Sequence, residues 1–283
     1  MAEISAKLVK QLKDKTNAGI MDCKKALTAT NGDIDEAVKW LREKGISDAA
    51  KKSDRQTSEG SIACAVSADK KTAALAELRC ETDFVARNEG YKAFAEDLAL
   101  KVLGENESDV AKLSDKYADT VKEAIAKFGE NITLGNVAKL SVSKGLVQSY
   151  IHGVGNIGVI ASFETGKDET ASNDSFVAMT MGVAMHIAAM APEYLNAESV
   201  PESFKTENLE VFKNKARESG KPENMLDKIA DGMMNKLYAE ICALDQAFVK
   251  DPKMKISDVV KDAAKRLGDD IKLTGFVRLE LGA

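Results

Sequence analysis

Residues 153–158 read Gly153-Val154-Gly155-Asn156-Ile157-Gly158, which fits the Gly-x-Gly-x-x-Gly spacing of a dinucleotide site. In such a site the glycines let the backbone approach a pyrophosphate, which sits at the N-terminus of the helix that follows. Here the next residues are Val159-Ile160-Ala161-Ser162-Phe163, a strand pattern, so the glycines read as a hairpin turn and no cofactor is expected. Other chemistry is equally thin. The chain has two histidines, so a Ser/His or Cys/His pair would need His152 or His186. His186 sits in an apolar run and reads as a hydrogen-bonded core histidine. Cys23, Cys64, Cys80 and Cys242 are scattered, form no Cys-x-x-Cys pair and lie far from both histidines in sequence, so no zinc site is expected. No Gly-x-x-x-x-Gly-Lys-Ser/Thr phosphate loop and no Gly-x-Ser-x-Gly nucleophile elbow occur. A protein that works by contact, without covalent catalysis, is the expectation.

The segment best suited to contact is Glu77-Leu78-Arg79-Cys80-Glu81-Thr82-Asp83-Phe84-Val85-Ala86-Arg87. A strand-like run ends on two good helix-capping types, Thr82 and Asp83, and an aromatic follows. The next helical pattern begins near Tyr91, with Phe94, Leu98 and Val102 at i, i+4, i+8 beyond Asn88-Glu89-Gly90. Phe84 therefore falls on a short turn. It either folds back as a staple onto its own domain or stays exposed for a partner.

Composition sets the frame. The chain has 283 residues, 44% hydrophobic and 30% charged, as in a globular protein with a real core. Its net charge of −5 lacks the basic footprint that phosphate binding requires, which argues against nucleic acid as a direct partner. Residues 1–57 carry 12 Lys and Arg against 9 Asp and Glu, a separate first module by charge. The start, Met-Ala-Glu-Ile-Ser, has no signal pattern. Phe176 to Ala191 is too short and too interrupted, by Thr180, Gly182 and His186, for a membrane span. A cytoplasmic, thiol-reduced setting is expected.

The elements that must carry these residues read as α+β. Residues 1–45 predict three short helices: Ser5 caps the first, Gly19 precedes the second, Asp33 and Glu36 form a capping-box variant for the third, and Gly45 ends it. Trp40 covers the edge of that small core or faces a partner. Residues 46–58 read as a polar, partly helical linker. Ile62 to Val66 and Ala73 to Leu78 predict a hairpin, followed by helices over about 91–103 and 107–129 and a strand over Val137 to Val142. The plan then repeats: strands at Leu146 to His152 and Ile157 to Phe163, then an apolar helix over 174–191. All four prolines follow it, and Ser219-Gly220-Lys221-Pro222 marks the turn of a helical hairpin made of about 203–219 and 222–243. Phe276 to Leu281 alternates as a last strand for the second sheet. The boundaries are a docking module and linker over 1–57, a first core subdomain over 58–143, and a second over 144–283 with the hairpin inserted at about 200–245. Lys24-Lys25, Lys51-Lys52 and Lys70-Lys71 read as solvated faces or turns, and Met179, Met181, Met185 and Met190 as core filler.

Two motifs, Leu12 to Leu27 and Thr82 to Val85, resemble bacterial translation elongation factor Ts. Further similarity lies at Tyr150 to Gly153, Ser219 to Pro222, Gln246 to Val249 and Thr274 to Arg278, in the expected order. Asn17 stands where many members have Gly, Arg79 where Asn or Val is usual, and Lys13 in a slot that is often Arg. The resemblance implies a ubiquitin-associated-like three-helix module, then two related hairpin-plus-helix subdomains with a protruding helical hairpin. It implies a guanine nucleotide exchange factor whose partner is elongation factor Tu, bound best when nucleotide-free. By resemblance Thr82, Asp83, Phe84 and Val85 enter the partner's GTPase domain near its magnesium site. Lys13, Ile20, Met21 and Lys24 would dock the first module, and His152, Phe248 and Val249 would meet a distal domain of the partner. GDP, GTP and magnesium would belong to the partner. The helical hairpin could pair with a second copy or with the partner. An interaction module without exchange activity, and an enzyme using the Gly153–Gly158 turn, are the competing classes.

Overall fold

The computed structural model describes residues 4–16, 18–50, 52–107 and 109–283, side chains at 45–50 excepted. The readings at the extreme N-terminus, Asn17 and Lys51 lie outside the described residues. Helices α1 (Ala6–Thr16), α2 (Ile20–Ala29) and α3 (Ile34–Ala50) form the first module around Leu12, Cys23, Ala26, Leu27 and Ala37. Ser5 accepts the Leu8 amide at 3.3 Å and Asp33 accepts that of Glu36 at 2.9 Å, as the caps predicted. Gly45 does not end α3, which continues through the expected linker to Ala50. None of the five residues from Ile46 to Ala50 is Gly or Pro, so nothing there breaks helical hydrogen bonding once Gly45 is passed. Trp40 is half-buried against the module's core, with Lys44 over its ring.

Strands β1 (Glu59–Val66), β2 (Thr72–Cys80) and β3 (Ile132–Ser141) make one antiparallel sheet in that order. Between β2 and β3 run α4 (Asp83–Ala86), α5 (Glu89–Leu103), α6 (Val110–Lys116) and α7 (Ala118–Phe128). The single helix expected over 107–129 is thus two. Tyr117 leaves helical geometry between them and turns its hydroxyl onto Glu105, with the side chain nearly buried. Strands β4 (Gly145–His152) and β5 (Ile157–Thr165) form the second hairpin, and α8 (Asp174–Met190) packs on it. Helices α9 (Glu202–Glu218) and α10 (Leu226–Ile241) pack on each other as the helical hairpin, pinned at its tip by Lys213–Asp227 and Arg217–Glu223, both 2.7 Å. At its base the Tyr194 and Leu195 backbone bonds to residues 241–244. Then come a short ribbon of β6 (Ala247–Phe248) and β7 (Asp251–Lys255), helix α11 (Ile256–Leu267) and strand β8 (Ile271–Glu280), which completes the order β4-β5-β8. The ribbon and α11 went unread in the sequence, although Ile256, Val260 and Ala263 make a buried stripe at helical spacing.

The two sheets lie face to face with helices outside. Along β2 the period of two sends Ala74, Ala76 and Leu78 toward α5, and Ala73 and Leu75 toward the second sheet. In β5, Val159, Ala161 and Phe163 face α8, whereas Ile160 meets Ile62, Leu75 and Val147 between the sheets. Gly158 belongs to that seam: a Cβ there would lie 2.5 Å from Ile62 Cγ2 and 3.1 Å from Leu75 Cδ2.

The internal repeat extends to irregular detail. Each third strand carries a bulge against its middle strand: Gly135 and Asn136 of β3 oppose Glu77 between the Ala76 and Leu78 pairs, and Thr274 of β8 is the extra residue between the Ser162 and Phe163 pairs. Each first strand carries a positive-φ glycine, Gly60 (φ 152°) and Gly145 (φ 124°). A Cβ on either would lie about 2 Å from the carbonyl oxygen of Leu78 or Phe163 across the hairpin, so both backbones approach only because the side chain is missing.

Candidate functional site

The route to Phe84 begins on β2 opposite the bulge of β3. Glu77 is fully buried there. Its Oε1 accepts from Arg79 Nε (2.6 Å) and the Gly282 amide (3.0 Å); its Oε2 accepts from Arg79 Nη2 (3.0 Å), the Asn136 amide (2.9 Å) and Asn136 Nδ2 (3.0 Å). Burial raises this carboxyl's pKa, but the Arg79 guanidinium and the two backbone amides outweigh it, and the net shift is downward. β2 is thereby tied to β3 and to the C-terminus. Next, Tyr91 of α5 donates its hydroxyl to the Leu78 carbonyl at 2.7 Å and packs edge-on against Phe128. Cys80, also buried, ends the strand.

Beyond Cys80 the chain enters the single turn of α4. Thr82 is its N-cap, accepting the Val85 amide at 3.4 Å, and Asp83 pairs with Arg87 at 3.1 Å. Ala86 is buried and Val85 packs on the first core, so they anchor the inner face. Phe84 takes the outer face and is 84% exposed. The staple alternative is therefore set aside: the ring does not fold back. Sequence reading placed Phe84 on a short turn and the next helix near Tyr91; that the turn is helical went unread, because four residues carry no periodicity.

The other expected docking residues fall in two places. On the first module, Lys13, Ile20 and Lys24 line a groove of about 520 Å³ with Ile4 and Val9. Ile20 and neighbouring Met21 are 57% and 63% exposed, large apolar side chains left in water. On the second subdomain His152 is exposed, its Nδ1 2.9 Å from the Tyr150 hydroxyl. Val249 is 42% exposed, but Phe248 is buried, in contact with the core of α8. The reason is room: Gly182 of α8 presents no side chain, and a Cβ there would sit 3.1 Å from the Phe248 ring. His186 holds this loop. Its Nδ1 accepts the Val249 amide (3.3 Å) and its Nε2 donates to Gln246 Oε1 (2.9 Å), the neutral tautomer. Burial lowers its pKa.

The Gly153–Gly158 segment is the β4–β5 turn, as read. Gly153 and Gly155 take positive φ, and the Gly155 carbonyl accepts the Ile62 amide at 2.7 Å on the β1 edge. A strand follows, so no helix N-terminus faces these glycines. Among the described residues, no three His, Cys, Asp or Glu converge as a metal site, and no helix is long and apolar enough to cross a membrane.

The fold thus leaves large apolar side chains, Phe84, Ile20 and Met21 among them, exposed on the helices of an α+β framework. The sequence model for Elongation factor TS matches residues 81–283. Elongation factor Ts of Desulfovibrio desulfuricans is 43% identical over 285 residues, covering all of both chains. The proteins of the same name from Bdellovibrio bacteriovorus and Clostridium botulinum are 44% and 42% identical, each covering 99% of this chain and 93% of their own. The chain belongs to the elongation factor Ts family.

Proposed function

We propose that this protein is the guanine nucleotide exchange factor for elongation factor Tu in translation elongation, and that Phe84 is its wedge. The observation that carries the reading is an aromatic ring left 84% in water on a turn that is capped, ion-paired and anchored. Leaving a Phe ring out forgoes burial energy, and exposed aromatics on fixed supports serve as anchors in partner pockets. Inserted near the partner's magnesium and phosphate site, the ring displaces elements that hold the ion, and charge neutralisation on the nucleotide is lost. Asp83 and Thr82 keep the turn, and Val85 seats it on the core.

Linkage fixes the thermodynamics. A factor that lowers nucleotide affinity by some ratio has its own affinity lowered by bound nucleotide in the same ratio, so it binds the nucleotide-free partner best. Lys13, Ile20, Met21 and Lys24 dock the first module on a second surface. His152 and Val249 meet a distal domain, with Phe248 supporting Val249 from within. The protein itself needs no cofactor, and it works in the cytoplasm.

The test is release of labelled GDP from elongation factor Tu. Phe84→Ala leaves the melting curve unchanged and costs ~2 kcal/mol of the stimulated rate, roughly thirtyfold. Undiminished release by a variant that still binds the partner would eliminate the wedge.

A further inference from the structure

We infer that Glu130 is a positioning residue for nucleotide release, fixing the direction in which Phe84 leaves the protein surface. This rests on the wedge reading above. Glu130 lies just after α7, where Gly129 at φ 78° closes the helix and turns the chain back toward β2. Its carboxylate then spans the root of the wedge. Oε2 accepts the amides of Glu81 and Thr82, both at 3.0 Å, and Oε1 accepts the Thr82 hydroxyl at 2.6 Å. The same Thr82 oxygen accepts the Val85 amide. A relay therefore runs from Glu130 through Thr82 to Val85 and brackets Phe84 on both sides.

A reciprocal grip completes the clamp. Glu81 Oε1 accepts the Asn131 amide at 2.6 Å, so each of two neighbouring acidic residues holds the backbone beside the other. Asn131 is buried, and its side-chain amide donates to the carbonyl of Arg55 at 2.8 Å. Arg55 in turn pairs with Glu81 at 3.3 Å. The segment leading from the first module is thus fastened to the same node.

The need for such a clamp follows from size. One helical turn fixes several dihedrals for a single hydrogen bond and is not stable by itself. α4 has four residues and leaves its largest side chain unpacked. Its orientation must come from outside, and Glu130 holds the two residues that lead into it, Glu81 and the N-cap Thr82, through three donors. Loss of those bonds lets the turn sample other directions, and ordering it again is charged to the exchange step. A misdirected group costs roughly ten- to hundredfold in rate when geometry decides the step.

The experiment is a double-mutant cycle on stimulated GDP release from elongation factor Tu, with thermal melts of every variant. Glu130→Ala slows release about tenfold or more. Glu130→Gln restores most of it, because the amide oxygen still accepts both N–H groups and its NH₂ donates to Thr82 Oγ1. Adding Glu130→Ala to Phe84→Ala produces no further loss. Equal slowing by Glu130→Ala in both backgrounds, or native release by a folded Glu130→Ala, overturns the assignment while leaving the wedge intact. Native release by Phe84→Ala removes the wedge and this role together. If Glu130→Ala fails to fold, Thr82→Val replaces it in the cycle: it removes the relay hydroxyl at nearly constant volume, and slowing that vanishes in the Phe84→Ala background supports the role. Native release by folded Thr82→Val overturns it.

Discussion

Replacing Glu77 by Gln tests the network behind the wedge. The native carboxylate takes five donors, two on Oε1 and three on Oε2. An amide keeps one oxygen, and its best orientation puts that oxygen where three donors converge. The NH₂ then faces Arg79 Nε and the Gly282 amide, two donors left without an acceptor. Each unsatisfied buried donor costs about 1–3 kcal/mol. Arg79 is half-exposed and recruits water, so the low end applies and the sum is about 2–3 kcal/mol. With a urea slope near 2–3 kcal/mol per molar, the midpoint falls by about 1 M. The pH dependence supplies the sharper reading. Glu77's folded pKa is depressed, so its contribution is present above the unfolded carboxyl value of about 4.3 and is lost as pH falls through the folded value. The gap between wild type and Glu77→Gln is therefore full at pH 7 and narrows only below about pH 4. Urea melts at pH 7 and pH 3.5 measure it. A midpoint unchanged at pH 7, or a gap that persists undiminished in acid, refutes the network's assigned weight.

Two further perturbations follow from the packing. Gly158→Ala forces a Cβ into Ile62 and Leu75 between the sheets and costs about 1–3 kcal/mol, read as a lowered melting temperature. His186, buried neutral, leaves the unfolded state to take up the proton first. Stability is full above about pH 6.5 and declines below it, by up to about 1.4 kcal/mol per pH unit, until the native ring titrates. His186→Gln removes that slope, which denaturation between pH 7 and pH 5 checks.

Much of this architecture was legible where local chemistry decides it. Helices α5 and α7 stop at Gly104 and Gly129, next to the ends expected at about 103 and 129, and the Ser219–Pro222 turn joins α9 to α10. The Gly153–Gly158 decoy was resolved by the strand pattern after it, although the task of Gly158, admitting Ile62, depends on a residue almost a hundred positions away. Distance in sequence also hid the rest. Glu77 interrupts an apolar strand, yet three of its five donors come from Asn136 and Gly282. Phe84's exposure depends on what fails to cover it, which no local pattern encodes. Phe248 and Val249 read as one contact, and only the absent side chain of Gly182 separates their fates. Glu130 drew no reading from the sequence; an acid directly after a left-handed glycine cap was the available signal.

The seam of Ile62, Leu75, Val147 and Ile160 carries one last consequence. Each sheet serves as the other's lid, so neither copy of the repeat is a self-sufficient unit. A chain cut between them would present a bare oily wall on both fragments, each prone to clump until it met its mate. The two halves thus form an obligate couple, and β8 of the second sheet completes the wall that the first sheet needs.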